Sequence, residues 1–192
     1  MYCNKNTVMK FLYSPFFILL IISTLISGCS NMKPIPTVPQ VDLPRFMGDW
    51  YVIANIPTWL EKGAHNAVET YQLKDDGRIA TTFTFNADSF TGERKQYNPT
   101  GFVSDTGNNA SWGMQFIWPF KAEYKVIYLD NDYQHTIIGR SKRDYIWIMA
   151  RQPELSTAKY QELLNFAGEQ GYDVNLIKKV PQRWETPAKE GS

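Results

Sequence analysis

Gly48-Asp49-Trp50-Tyr51-Val52-Ile53-Ala54 decides the fold. It opens the first apolar run of period two, after a lead-in carrying Pro34, Pro36, Pro39 and Pro44. Alternate residues of a strand share a face, so a bulky indole at its start reads as the plug of one end of an antiparallel barrel. Runs of the same period recur downstream, separated by turn chemistry. They predict strands over about 49–56, 67–74, 78–86, 93–103, 110–117, 122–129, 133–139 and 144–151. Asp75-Asp76-Gly77 is a strong hairpin turn, because Gly accepts the positive φ that tight turns demand. Pro99, inside the fourth run, predicts a bulge or bend. Eight strands with short connections fit a sandwich or an up-and-down barrel. One helix follows: Ser156 is a suitable N-cap, and Tyr160, Leu163, Leu164 and Ala167 make one apolar face. Gly171 stands where a left-handed C-terminal residue belongs. The helix is expected outside the barrel, with a short ninth strand over 177–180 and a frayed tail from Pro181.

The chain has 192 residues, enough for one domain, and 20 basic side chains against 19 acidic ones. That balance implies no nucleic-acid partner. Six Trp, eleven Tyr and eleven Phe suit a sheet with a cavity to line. Lys5 and Lys10 precede an apolar run from Phe11 to Ile26, which is short for a spanning helix and suits a secretory signal. An anchor helix with an incidental Cys is the alternative. Leu25-Ile26-Ser27-Gly28-Cys29 resembles the bacterial lipobox. That resemblance implies cleavage before Cys29, a diacylglycerol thioether on its sulfur and a further acyl chain such as palmitate on its new amino group. Ser30, where an Asp would signal retention, implies sorting to the outer membrane, with the domain on the periplasmic face. The expected organisation is a signal peptide over 1–28, a lipidated Cys29 with a Pro-rich tether over 29–44, a barrel domain over 45–185 and a flexible tail over 186–192. Cys3 leaves with the signal and Cys29 is acylated, so neither a disulfide nor a cysteine nucleophile remains.

Three short motifs carry a resemblance to the lipocalin family. Gly48-Asp49-Trp50 resembles its opening G-x-W. Asn131-Asp132-Tyr133, between the sixth and seventh strands, resembles T-D-Y-x-x-Y, with Asn131 in place of Thr and Thr136 in place of the second Tyr. Arg151, ending the eighth strand, resembles its lone basic residue. With the lipobox, the likeness is to the bacterial, outer-membrane lipoprotein branch, and it implies an all-β, eight-stranded antiparallel up-and-down β-barrel with one C-terminal helix. A meander brings all three motifs to one end. Trp50 then closes that end with the Arg151 guanidinium stacked on its ring, worth about 0.5–2 kcal/mol; a ligand-binding cation is the other role open to Arg151. Gly48, Trp50, Asp132, Tyr133 and Arg151 are thus expected to be structural.

With Trp50 and Arg151 pointing inward, period two sends Val52, Ala54, Tyr145, Trp147 and Met149 inward as well. The same alternation gives a lining of Phe83, Phe85, Trp112, Met114, Phe116, Tyr124, Val126 and Tyr128, beside Tyr145 and Trp147. These ten are the expected ligand contacts. Such an interior suits an acyl chain, and eight strands leave room for one small ligand; a filled core without a cavity is the alternative. The open end would carry loops 57–66, 87–92, 118–121 and 140–144. Their aromatic and apolar residues Trp59, Leu60, Phe90, Trp118 and Phe120 suit a bilayer, a partner or loop packing. Lys62, Arg94, Lys95, Lys121, Arg140, Lys142 and Arg143 are cations available to a phosphate.

No G-x-S-x-G and no metal-ligand cluster is legible. His65 and His135 stand alone, so no catalytic residue, metal or cofactor is expected. The function implied by the family is non-covalent binding of a fatty acid or lysophospholipid, for storage, transport or repair of envelope lipids. An envelope scaffold with a closed barrel is the competing expectation, a lipid hydrolase is a remote third, and a homodimer stays open.

Overall fold

A computed structural model of the protein describes residues 34–104 and 107–184. The expected signal peptide, Cys29 and the tail over 186–192 lie outside the described residues. Nine strands close on themselves: β1 (Gly48–Ile56), β2 (Ala64–Leu73), β3 (Arg78–Ala87), β4 (Arg94–Tyr97), β5 (Thr100–Val103), β6 (Ser111–Ile117), β7 (Phe120–Leu129), β8 (His135–Gly139) and β9 (Ile146–Ala150). All pairings are antiparallel between neighbours, and β1 pairs β9 to close the seam. There are eight barrel positions, because β4 and β5 share one. Both pair with β3 on either side of Asn98-Pro99. Pro99 has no N–H to give the ladder, but its carbonyl still accepts from Thr81 N at 3.1 Å. A two-residue strand, β10 (Lys178–Lys179), extends β1 near its mouth end.

Two irregularities in register alter which side chains face inward. The β1–β9 register shifts between Val52 and Ala54, and the β7–β8 register between Val126 and Tyr128. A bulge sets two residues against one and so inverts the parity beyond it. Val52 and Val126 therefore point into the barrel, whereas Ala54 and Tyr128, expected beside them, turn out of it. Asn55 replaces Ala54 on the inner face.

The outward residues meet helix α2 (Thr157–Glu169), named after a four-residue helix α1 (Leu43–Phe46) that precedes β1. Ser156 caps α2 by accepting from Lys159 N at 3.2 Å. Leu163 and Ala167 are fully buried against Ile127, Ile137, Ile146 and Ile148 on the barrel's outer wall. A buried leucine of this kind contributes about 2 kcal/mol. Gly171 takes φ +88° and lets the chain leave the helix.

Both flanks of the barrel are more ordered than their composition suggests. The stretch 34–44, expected as part of a tether, lies against the barrel: Val41 N donates to Asn108 O, Val38 N donates to Val126 O, and Ile35 is buried in the outer cluster. Pro181 onward, expected to fray, is held as far as Trp184. Asn66 exchanges bonds with Arg183 N and Arg183 O, Gln182 donates to Val52 O and Ala67 O, and Trp184 stacks edge-on against Tyr51.

Candidate functional site

The closed end is built from the three short motifs and from α1. Asp42 caps α1 by accepting from Arg45 N, and the proline in its first turn needs no partner there. Phe46 is thereby driven up into the barrel, where its ring lies 5.1 Å from Trp50, 5.7 Å from Tyr71 and 5.5 Å from Trp112. Trp50 Nε1 donates to Phe46 O. Arg151 covers this plug from below, 3.9 Å from the Trp50 ring centre. Its guanidinium donates to Asp49 O, Arg45 O, Phe46 O and Met47 O at 2.7–3.0 Å and, at 3.4 Å, to Tyr133 O. Every one of these acceptors is a backbone carbonyl, which identifies a clamp on chain ends and not an anion site. Gly48 takes φ +91° directly above Arg151 Nη1, where a side chain would be strained. Tyr133 adds a second tie, its hydroxyl accepting from Asp42 N and its ring lying under the Arg45 guanidinium. Asp132 is exposed. The turn is held instead by Asp130, which accepts from Gln134 N, His135 N and the His135 ring. Burial alone would raise the Asp130 carboxyl; those three bonds hold it below the ordinary range.

Above the plug lies a cavity of about 410 Å³ that opens between the loop after β1 and the β6–β7 hairpin. Of the ten expected lining residues, Phe83, Met114, Phe116, Tyr124, Tyr145 and Trp147 line it. Phe85, Trp112 and Val126 point inward but belong to the packed core that includes the plug. Trp112 stacks on Tyr124 at 5.1 Å, and Phe85 packs against Phe83 and Tyr97. Tyr128 is outside altogether: its ring meets Phe166 of α2 and its hydroxyl donates to Glu162. The bulge beside it is the cause, and no period count detects a bulge.

Two carboxyls in the cavity wall were not expected. Glu69 sits on β2 directly opposite Trp50 and opposite Phe83 of β3. Paired residues share a face, so Glu69 must point inward. Tyr71 donates to Glu69, and Tyr71 and Tyr124 hydroxyls lie 2.6 Å apart, giving a chain from Tyr124 through Tyr71 to the carboxyl. Burial away from water is the main cause of a Glu69 pKa pushed up to about 7; the Tyr71 bond opposes it and Glu61 reinforces it. Glu61, in the loop after β1, accepts from Asn55 Nδ2, Trp147 Nε1, Thr58 N and the Thr58 hydroxyl. Its burial raises its pKa against the pull of those four donors. Glu61 thus pins the loop to the rim.

Among the mouth cations, only Arg140 lines the cavity. Its backbone is held by Tyr172, whose hydroxyl accepts from Arg140 N and donates to Arg140 O. Its Nη1 is 3.4 Å from Asp144, its guanidinium lies over Tyr145, and its buried Nε has no hydrogen-bond partner. None of the other six lines the cavity: Lys95 pairs with Glu93, Arg94 donates to Thr84, Lys121 covers Phe102, Arg143 donates to Gln170 O and Ser141 O, and Lys62 and Lys142 are exposed. Phe90 is sandwiched between His65 and Arg183, so it does not belong to the rim. The cavity is therefore apolar along its walls, acidic in its depth and basic at one point of its mouth. It has the volume of a small-molecule site.

Known proteins agree with this architecture. Residues 41–182 match the family described as a lipocalin-like domain. The outer membrane lipoprotein Blc of Escherichia coli K12 is 32% identical over 162 residues, covering 82% of this chain and 90% of that protein. Temperature-induced lipocalin-1 of Arabidopsis thaliana is 31% identical over 167 residues, covering 82% and 88%. Among solved structures, insecticyanin from the tobacco hornworm superposes with a TM-score of 0.61 at 14% identity, covering 80% of this chain and 86% of that one.

Proposed function

The chain belongs to the lipocalin family, and from that membership we propose that it is a lipid-binding protein of the outer membrane, anchored through an acylated Cys29 with its barrel on the periplasmic face. It holds one fatty acid or lysophospholipid in the barrel for storage, transport or repair of envelope lipids. The observation that carries this reading is the 410 Å³ apolar cavity. At roughly 25 Å³ per methylene packed at interior density, it takes one acyl chain of about sixteen carbons and has no room for two. Burying each methylene contributes about 0.8 kcal/mol, enough for tight binding without specific contacts along the chain. Among the described residues, no cation lines the depth beside Glu69, whereas Arg140 stands at the mouth, so the head group stays there. There the Arg140 guanidinium lines the entrance, and a phosphate or carboxylate supplies it with an acceptor. The relatives named as outer membrane lipoproteins support the location.

Native mass spectrometry of residues 30–192 titrated with lysophospholipids of graded chain length tests the binding. One adduct per protein is expected, strongest near sixteen carbons. No adduct at any length would instead favour a ligand-free scaffold. Anchoring is tested separately: Cys29→Ala abolishes incorporation of labelled palmitate, and label retained in that variant sinks the anchor.

A further inference from the structure

The open end of the barrel carries an exposed apolar rim. Of the eight large hydrophobic side chains exposed among the described residues, five lie here: Trp59 at 81%, Phe116 at 47%, Ile117 at 70%, Trp118 at 81% and Phe120 at 75%. They come from the loop after β1 and from the β6–β7 hairpin, which flank the cavity entrance. Trp59, Phe116, Ile117 and Phe120 line the cavity as well as facing solvent. Loop tips that present two tryptophans outward expose apolar area that a soluble surface avoids.

The path of the N-terminal strap points to what covers this rim. From Val41 beneath the plug, the strap runs backward up the outer wall. Val38 bonds to Val126, and Ile35 then abuts Gly139, the mouth-side end of β8. Gly139 lacks a side chain where Ile35, Ile127 and Tyr172 crowd in; a Cβ there would lie 2.7 Å from the Tyr172 hydroxyl. The next residue, Arg140, is already in the mouth. The chain therefore reaches Pro34 on the mouth side of the wall. Only Ser30 to Lys33 separate Pro34 from Cys29, a reach of at most about 18 Å when fully extended. A tether that short keeps the barrel against the bilayer, and its exit beside Arg140 leaves the mouth free to meet the lipid surface.

We propose that the aromatic rim of the mouth rests on the lipid bilayer that holds acylated Cys29, so that the cavity opens directly into the lipid surface. Tryptophan suits this position because its ring is apolar and its N–H stays at the wet interface. The ligand then passes between bilayer and cavity without crossing water. The proposal rests on the Cys29 anchor stated above.

The test uses the full mature protein, extracted from membranes and reconstituted into phosphatylethanolamine and phosphatidylglycerol vesicles containing a brominated phosphatidylcholine. Bromine near the interface is expected to quench tryptophan emission. Trp59→Phe with Trp118→Phe should remove at least two-thirds of the quenchable emission, and Trp184→Phe less than a tenth. Both changes are conservative and exposed, and unchanged near-ultraviolet circular dichroism verifies the fold. More than a third of the quenchable emission surviving the double substitution overturns the docking, as does quenching that is absent from the wild type. Disulfide cross-linking between copies through Trp118→Cys, without quenching, would assign the rim to a dimer and overturn it too. Labelled palmitate separates the two claims: no label on the chain removes the anchor and with it the docking, while label without quenching removes the docking alone.

Discussion

Glu69→Gln makes the pH dependence of stability a direct measure of the buried carboxyl. In the folded protein its pKa stands at about 7, against 4.5 for a free glutamate. That difference corresponds to roughly 3 kcal/mol. A raised folded pKa means the folded state keeps a proton that the unfolded chain has released. Its stabilising share is complete below pH 4.5, declines between about 4.5 and 7, and is gone above 7. Glutamine has the same shape and no proton to lose, and it can still accept from Tyr71. The variant should match the wild type at pH 4 and exceed it at pH 8 by about 3 kcal/mol, or about 6–12 °C in Tm for a domain of this size. Urea unfolding of residues 30–192 from pH 4 to 8 gives the two curves. Asp130 is present in both, so its share cancels in the difference, and the coupling of Glu61 to Glu69 belongs to the Glu69 effect. A difference that stays flat across that range would refute a Glu69 buried against Tyr71.

Three further outcomes are expected. Arg151→Ala removes the donors to five backbone carbonyls and the stack on Trp50; at about 1 kcal/mol net for each of the better bonds, it should cost about 3–5 kcal/mol in urea, and Arg151→Lys, with one point charge, should recover less than half. Trp147→Ala removes a cavity wall and a donor to Glu61, so lysophospholipid affinity should fall at least tenfold, whereas Trp184→Ala on the outer wall should leave it unchanged; equal effects in titration would show that the interior is misassigned. Tyr128→Ala should cost about 1–2 kcal/mol of stability by loosening α2 while lipid affinity stays within twofold, which separates the outer cluster from the cavity.

The barrel was legible because its signals are local and repeated. Period-two runs, Asp75-Asp76-Gly77, Ser156 and the proline at 99 each act within a few residues, and each has a mechanism that does not depend on the rest of the chain. The cavity was only partly legible because facing is a running count, and one inserted residue inverts it. Val126 and Tyr128 differ by two positions yet lie on opposite faces. Phe46 was hidden for a different reason: a four-residue helix is too short to show a period. Only Asp42 and Pro44 announced it. Glu69 had a usable signal, since Ala67, Tyr71 and Leu73 alternate in phase with it along an apolar face. A charged residue in such a row is easily taken for an exposed one. The mouth cations could not be sorted at all, because what separates Arg140 from its neighbours is the Tyr172 hydroxyl, supplied by a residue 32 positions away.

The Arg151 clamp also sets the order in which the barrel can form. It joins carbonyls of residues 45–47 to a side chain more than a hundred positions later, and the neighbouring seam pairs Tyr51 with Ala150. Until residue 151 is available, β1 has one free edge and the plug has no cover. A chain emerging from its N-terminus therefore holds an open, aromatic-rich sheet for nearly the whole of its emergence. Contacts this distant in sequence make closure slow, on the order of milliseconds to seconds, and the open edge is a template for pairing with other chains. The most dangerous interval in the life of this protein comes before its last strand arrives, and that is when a holding chaperone would matter most.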